Sequence, residues 1–206
     1  MEPLVLALPK GRIMDEAIAV LRDCGFSFSD SEDISRKLIV EEDHGRLKCI
    51  LVKPSDVPIY VEYGAADIGV VGKDVLLEEN RDVYELLDLK IAGCHLAVAG
   101  IANIQPHTVL RVATKYPRIA SDYFKKQGRQ VEIIKLNGSI ELAPMVGLSD
   151  CIVDIVSTGQ TLRENGLREL ESVMPITSRF IANRMSYRMK HHEITDIVDK
   201  LEQKLV

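Results

Sequence analysis

The sequence predicts an α/β protein built from two similar α/β lobes, and three patterns support this prediction. Short runs rich in Val, Ile and Leu recur along the chain, which is typical of strands buried in a parallel sheet. Segments with helical spacing lie between several of these runs, and such alternation favours a sheet covered by helices. A glycine followed three residues later by an aspartate and then by a strand occurs twice, at Gly64 and at Gly147.

The elements follow from local patterns in chain order. A first helix begins near Ile13 and ends before Gly25, a typical residue after a helix C-terminus. A second begins around Ser55, with a proline in its first turn, and ends near Gly64. The predicted strands are Leu4 to Leu8, Leu47 to Val52, Ile68 to Val71, His95 to Ala99, Val109 to Ala113, Val131 to Leu136 and Ile152 to Val156.

The end of the chain predicts one more helix, because Ile194, Ile197 and Leu201 recur on one helical face. No linker rich in proline or glycine separates the lobes, so we expect the boundaries at ordinary crossings between strands. Lobe I is expected to comprise residues 1–92 and 180–206, and lobe II residues 93–179.

Charge and composition narrow the possible functions. The 26 Lys and Arg against 31 Asp and Glu give a formal net charge of −5, which argues against a nucleic-acid-binding protein. No apolar run approaches the roughly 20 residues that span a bilayer, and no secretion signal precedes the first strand, so we expect a cytoplasmic protein without a membrane partner. The four widely separated cysteines predict reduced thiols, with neither disulfides nor zinc.

The segment from Asp154 to Thr161 predicts a phosphate-binding loop. A buried strand leads into a hydroxyl-rich turn that contains Ser157, Thr158 and Gly159, and then into a helix. Unpaired backbone N–H groups at a helix start attract anions, and the hydroxyls add donors. Asp154 would accept hydrogen bonds from sugar hydroxyls. The alternative is an ordinary strand-to-helix turn with Thr161 as the N-cap residue.

Lys10, Gly11 and Arg12 form a second candidate anion site, because two cations flank a glycine at the start of the first helix. The alternative is that Lys10 and Arg12 are simply charged loop residues exposed to solvent. Arg36 precedes another strand, where a cation is more often an exposed flank. Glu141 is most simply an acid in the first turn of a helix, although together with Asp154 it could border a magnesium-bound polyphosphate.

The sequence resembles the catalytic subunit of ATP phosphoribosyltransferases over nearly its whole length. The family pattern of a glutamate, a glycine-leucine-x-aspartate and a strand that ends in a serine-threonine-glycine-x-threonine loop is similar to Glu141, residues 147–150 and residues 154–161. Further similar blocks are residues 10–12, 35–38, 55–58, 64–69, 113–116 and 165–167. Lys53 stands where many members have arginine.

The resemblance implies two lobes of the type II periplasmic-binding-protein kind, with the active site in the interlobe cleft. It implies the magnesium-dependent condensation of ATP and 5-phosphoribosyl 1-diphosphate to N1-(5-phosphoribosyl)-ATP and diphosphate, which opens histidine biosynthesis. It also implies a homodimer that assembles with a regulatory subunit similar to histidyl-tRNA synthetase. No covalent nucleophile and no metal ligand from the protein are expected.

The resemblance also assigns roles to individual residues. Arg12 and Arg36 are expected to be catalytic cations that face the phosphate groups. Phosphoribosyl diphosphate would be bound by Glu141, Asp154, Ser157, Thr158, Gly159, Gln160 and Thr161. ATP would be bound by Lys10, Gly11, Lys53 and Asp67.

Two other classes of protein are also compatible with the sequence. Similar two-lobed folds also serve as non-enzymatic modules that bind small anions, since fold alone does not fix function. Phosphoribosyltransferases of the other major fold are the second alternative. Their loop typically has two adjacent acids, whereas Asp154 stands between Val153 and Ile155.

Overall fold

The computed structural model describes residues 2–28, 37–101 and 109–205. Contacts within the chain divide it into two compact units, Met1–Ala92 with Thr177–Val206, and Gly93–Ile176. The crossing expected between residues 179 and 180 falls inside a strand, Ser178–Ala182, that belongs wholly to the first unit. Among the described residues, none of the helices combines the length and the apolar character that a bilayer-spanning segment requires.

The first unit contains a six-stranded mixed sheet and its helices. Its elements are β1 Leu4–Pro9, α1 Arg12–Asp23, β2 Ile39–Glu41, β3 Leu47–Val52, α2 Val57–Glu62, β4 Ile68–Gly72, α3 Lys73–Glu79, β5 Tyr84–Asp88, β11 Ser178–Ala182, α7 Arg184–Met189 and α8 His191–Leu205. The strand order in the sheet is β2-β3-β1-β4-β11-β5. Strands β3, β1 and β4 are parallel, β2 pairs antiparallel with β3, and β11 pairs antiparallel with both β4 and β5. A 3₁₀ turn, Pro54–Asp56, precedes α2.

The alternation of side chains along β1 divides the core of this unit between the two faces of the sheet. Leu4, Leu6 and Leu8 are buried on the face that packs against α1 and α8. Ala7 points to the opposite face, where it packs with residues of α2 such as Val57. Because strand side chains alternate with a period of two, one strand can serve both helical layers.

The second unit contains a five-stranded sheet and its helices. Its elements are β6 Cys94–Gly100, β7 Leu110–Thr114, α4 Pro117–Lys126, β8 Val131–Lys135, α5 Leu142–Met145, β9 Cys151–Val156, α6 Gln160–Glu164 and β10 Arg168–Ile176. The strand order in the sheet is β10-β6-β9-β7-β8. Strands β9, β7 and β8 are parallel, and β6 pairs antiparallel with both β9 and β10. All seven predicted strands are confirmed to within one or two residues.

The repeated glycine and aspartate perform the same structural task in both units. Gly64 and Gly147 have φ values of 73° and 71°, and each turns the chain from a helix toward the next strand. Asp67 then exchanges two bonds with Val5, its carboxylate accepting from the Val5 N–H at 2.9 Å and its own N–H donating to the Val5 carbonyl at 2.8 Å. Asp150 repeats this exchange with Arg111, at 2.8 and 2.9 Å. The two predicted lobes therefore share a local design.

Glu42 organises the turn that follows β2. Its buried carboxylate accepts from the backbone N–H groups of His44 and Arg46 at 3.2 and 3.0 Å, and from the Arg46 guanidinium at 2.5 Å. Burial opposes ionisation of this carboxyl, but the hydrogen bonds from Arg46 prevail and lower the pKa of Glu42 to about 2. Arg46 also donates to the Gly25 carbonyl and so ties the turn to the end of α1.

We expect Glu42→Gln to lower the free energy of unfolding by about 1–3 kcal/mol at neutral pH, because an amide cannot replace the charge-assisted bonds. The native pKa lies below the ordinary value of 4.5. The difference from the parent is therefore complete above that value and shrinks as the pH falls toward 2. Urea unfolding at pH 7, 4 and 3 measures this difference, with Glu41→Gln at the exposed neighbour as control. Equal stability of the Glu42 variant and the parent at pH 7 would contradict the assignment.

Candidate active site

The carboxyl ends of the parallel strands in the first unit bring several predicted site residues to one edge of the sheet. Lys10 and Lys53 follow β1 and β3, whose last residues Pro9 and Val52 lie side by side. The Lys10 N–H donates to the Val52 carbonyl at 3.0 Å, so the two loops leave the sheet together. Both lysines are exposed. Ligands of open α/β sheets typically bind at this edge.

Gly11 starts α1 with φ of 103°, a value that L side chains rarely adopt. Gly11, as the N-cap residue, has no side chain with which to cap the helix, and the first backbone N–H groups stand at an exposed edge beside Lys10. The helix dipole makes this a favourable place for an anion, while it disfavours the flanking cations.

Arg12 is the first residue of α1, and its side chain is 52% exposed. Its Nη2 donates to the Ala92 carbonyl at 2.9 Å, and its Nε lies 3.8 Å from Glu16. The guanidinium is therefore held at the carboxyl edge of the sheet rather than dispersed in solvent. Arg36 lies outside the described residues.

Asp67 lies apart from this group. It precedes β4 and contacts Val5 near the start of β1, which is the amino end of the parallel strands. Its carboxylate also accepts from Lys190 Nζ at 2.8 Å, and the side chain is 8% exposed. The structure does not bring Asp67 together with Lys10 and Lys53, because the register of the strands assigns it to the opposite edge.

The predicted phosphate loop of the second unit follows β9. Ser157, Thr158, Gln160 and Thr161 are exposed, and Gly159 adopts the left-handed conformation with φ of 69°. Gly159 is the N-cap residue of α6, so Thr161 does not have the capping role of the alternative interpretation. The Thr158 hydroxyl accepts from the N–H of Gln160, the first residue of that helix, at 3.3 Å. Within the described part of the chain, the Thr161 hydroxyl makes no hydrogen bond.

Arg163 is a cation at this loop that the sequence analysis missed. A Cβ atom on Gly159 would lie 3.1 Å from Arg163 Nη1, so the guanidinium rests against the backbone of the loop. A side chain at this position would therefore meet both an unfavourable φ and a neighbouring cation. The sequence contained one indication of this contact, because Arg163 follows Gly159 by four residues, which is about one helical turn.

Asp154 and Glu141 both lie near the carboxyl edge of the second sheet. Asp154 is half-buried in β9, and its Oδ1 accepts from the Ile155 N–H at 2.8 Å. Glu141 is the N-cap residue of α5 and follows β8, which is parallel to β7 and β9. The loop with Glu141 and the loop 157–161 therefore leave the sheet at the same edge.

Thr114 fixes the spacing of the strands that carry these loops. Its buried hydroxyl donates to the Val153 carbonyl at 2.6 Å and accepts from the Tyr116 N–H at 2.9 Å. One side chain thereby links the end of β7 to β9 one residue before Asp154. This link stabilises the edge from which the loop 157–161 leaves the sheet.

Comparison with known proteins identifies the family. A family model described as HisG, ATP phosphoribosyltransferase, matches residues 53–203. The chain belongs to the ATP phosphoribosyltransferase family. A protein of that name from Halalkalibacterium halodurans is 60% identical over 205 residues, covering 98% of this chain and 97% of that protein. The one from Bacillus subtilis is 58% identical over 203 residues, with coverage of 98% and 93%.

Solved structures agree with this assignment. A chain of the ATP phosphoribosyltransferase HisG:HisZ complex from Thermotoga maritima is 35% identical, with a TM-score of 0.82 and 98% coverage of both chains. The periplasmic VFT2 domain of Bordetella pertussis BvgS shares the fold, with a TM-score of 0.64 at 12% identity over 100% of this chain and 88% of that one. The predicted fold of two α/β lobes is confirmed.

Membership of the ATP phosphoribosyltransferase family confirms the predicted reaction. The protein transfers a phosphoribosyl group from 5-phosphoribosyl 1-diphosphate to ATP, the first step of histidine biosynthesis. A purely anion-binding module is not supported, because relatives at about 60% identity over the whole chain bear the enzyme's name. The other phosphoribosyltransferase fold is excluded by the structural match.

The four cysteines of this phosphoribosyltransferase all lie in the described part of the chain, and none of them is in a disulfide bond. Burial raises the pKa of both Cys49 and Cys151 to about 12, so neither is a thiolate at neutral pH. Cys24 and Cys94 are half-buried. Cys151 lies three residues before Asp154, but its side chain has the environment of a core residue.

We expect Cys151→Ala to retain the parental kcat, because a buried protonated thiol cannot act as a nucleophile. The variant should unfold at a lower temperature, since a small cavity replaces the sulfur. Steady-state kinetics and thermal unfolding test this expectation, and Cys94→Ala at a half-buried site is the matched control. Loss of turnover in folded Cys151→Ala would show that the thiol takes part in the reaction.

Proposed function

We propose that the exposed loop 157–161 binds the 5-phosphate of phosphoribosyl diphosphate. Its exposed hydroxyls, the left-handed Gly159 and the position of the loop at the start of α6 support this role. The carboxylate of Asp154, which lies in β9 three residues before Ser157, would accept hydrogen bonds from the ribose hydroxyls. Glu141, on a neighbouring loop at the same edge of the sheet, is the remaining residue that we propose to bind phosphoribosyl diphosphate.

Lys10, Gly11, Arg12 and Lys53 would bind the polyphosphate groups of the substrates. Three observations support this role. These residues lie at one edge of the first sheet, the lysines are exposed, and the start of α1 has no side-chain cap from its N-cap residue Gly11. Arg12 and Arg36 would act as the catalytic cations. Charge on the departing diphosphate is greatest in the transition state, so a cation placed there accelerates the reaction. Asp67 is left out because its carboxylate is engaged at the other edge.

The reaction needs positioning and charge stabilisation rather than a covalent nucleophile. Adenine N1 attacks the anomeric carbon as diphosphate leaves, so positive charge develops on the sugar and negative charge on the leaving group. The proposed binding loops would hold and orient the substrates. The two substrates are polyanions that repel each other, so bringing them together would require the positive charges of Lys10, Arg12 and Lys53.

Magnesium would enter with the substrates. Among residues 2–28, 37–101 and 109–205, no group of three or more His, Cys, Asp or Glu side chains could hold a metal ion. This fits Mg²⁺, which commonly keeps substrate phosphates and water as ligands and takes only one or two carboxylates from a protein. Glu141 and Asp154 would border the magnesium-bound phosphates. The ion would neutralise phosphate charge.

A regulatory partner belongs to the same proposal. The relative from Thermotoga maritima, which matches this chain over 98% of both lengths, forms a HisG:HisZ complex. We propose that this chain is a cytoplasmic homodimer that assembles with a HisZ-like subunit similar to histidyl-tRNA synthetase. Feedback by histidine would then act through that contact, because an effector needs a site whose affinity differs between two states.

The phosphate loop is tested by Thr161→Ala, which we expect to raise the KM for phosphoribosyl diphosphate about tenfold or more. The reason is the loss of a hydrogen bond to a charged group, which costs about 1.5–3 kcal/mol. The KM for ATP should change far less. Thr161→Ser keeps the hydroxyl and serves as the matched control, while Gly159→Val should show the same selective defect. Equal binding of labelled phosphoribosyl diphosphate by Thr161→Ala and the parent would refute the assignment.

The partner proposal is tested by initial rates at increasing histidine concentration. We expect the isolated chain to be active and unaffected by histidine, and to become inhibited when the HisZ-like subunit is added. Saturable inhibition of the isolated chain at low histidine would show that the effector site lies within these 206 residues.

A further inference from the structure

The first two turns of α1 hold the backbone of Ala92 at both of its peptide groups. Glu16 Oε2 accepts from the Ala92 N–H at 2.7 Å, and Arg12 Nη2 donates to the Ala92 carbonyl at 2.9 Å. Glu16 Oε1 lies 3.8 Å from Arg12 Nε. Ala92 is thus hydrogen-bonded through both its N–H and its carbonyl to Arg12 and Glu16, an i, i+4 pair on α1.

The held residue has an unusual conformation. Ala92 is buried and has a φ of 52°, in the left-handed region that residues other than glycine rarely adopt. Such a conformation persists where the surroundings over-determine it. Ser178 adds to this restraint, because its N–H donates to the Ile91 carbonyl at 3.1 Å. The Ala92 carbonyl therefore has a fixed direction, and the Arg12 guanidinium is bound to it.

We propose that Glu16 is a positioning residue for Arg12, which it aims by fixing the Ala92 peptide to which the Arg12 guanidinium is hydrogen-bonded. This inference rests on the catalytic role proposed above for Arg12. Arginine loses considerable rotamer freedom when it binds, and the Arg12 side chain is about half exposed. Holding the guanidinium in advance keeps that loss out of the transition state, as preorganised sites do.

A purely structural role is the competing explanation, because Ala92 is the last residue before the chain enters the second unit. In that case Glu16 would stabilise the segment around Ala92 without influencing Arg12. The two explanations differ in coupling. A positioning residue has no effect on the reaction once Arg12 is removed, whereas a structural residue acts independently of Arg12.

The test is a double-mutant cycle of Arg12→Ala and Glu16→Ala, read by single-turnover rate and by the KM for each substrate. We expect Glu16→Ala to lower the single-turnover rate about five- to tenfold with a smaller change in KM. The double variant should be within about twofold of Arg12→Ala alone. Glu16→Gln keeps an acceptor for the Ala92 N–H and should lose less activity. Asp15→Ala, an exposed neighbour in the same turn, is the matched control and should behave like the parent.

The cycle separates failure of this inference from failure of the proposed function. If Arg12→Ala reacts at the parental rate, the catalytic role of Arg12 is wrong and Glu16 has nothing to position. If Arg12→Ala is slow but Glu16→Ala is not, only the inference about Glu16 is wrong. Multiplying rate losses in the double variant would also overturn it in favour of the structural explanation. Circular dichroism checks that each variant is folded, and Glu16→Gln supplies the comparison if Glu16→Ala is not.

Discussion

The register of three parallel strands in each unit is the constraint on which the rest of the structure depends. A parallel strand needs a partner for its first backbone groups, and in both units an aspartate supplies one. Asp67 pairs with Val5 and Asp150 with Arg111, each through a carboxylate and a backbone bond. Since a slip of one residue would exchange the two faces of the sheet, these bonds reinforce the register that the core requires.

That register decides which loops can act together. Once β1 and β3 are aligned, the loops after them leave at the same edge, and the same holds for β7, β8 and β9. The rigid strands position loops whose own conformations are unusual, as the positive φ values of Gly11 and Gly159 show. Exposed loops on a rigid sheet are a common location for binding residues, because the loop backbone is available to a ligand.

The charged side chains divide into two groups according to burial. Glu42, Asp67 and Asp150 are buried or nearly so and are engaged by cations and backbone N–H groups, so their charges serve the fold. Lys10 and Lys53 are exposed at the edge proposed for the substrates. Arg12 combines both properties, because it is half-exposed yet bound to the Ala92 carbonyl. A cation that must meet a polyanion has to be accessible, but it gains from being held.

The sequence by itself determined the features that depend on neighbouring residues. Apolar runs located the seven predicted strands, glycines marked the ends of α1 and α2, and the hydroxyl-rich loop after β9 stood out by its local chemistry. It did not indicate β5, β10 or β11. Strand β5 is mostly half-buried and β10 is mostly exposed, so neither has a continuous apolar run, and β11 is short and begins with the polar residues Ser178 and Arg179. Only the tertiary structure separated Asp67 from Lys10 and Lys53, brought Arg163 against Gly159, and joined Arg12 to Ala92 across 80 positions of sequence. Those contacts follow from strand register and side-chain packing between distant segments, which spacing along the chain does not encode.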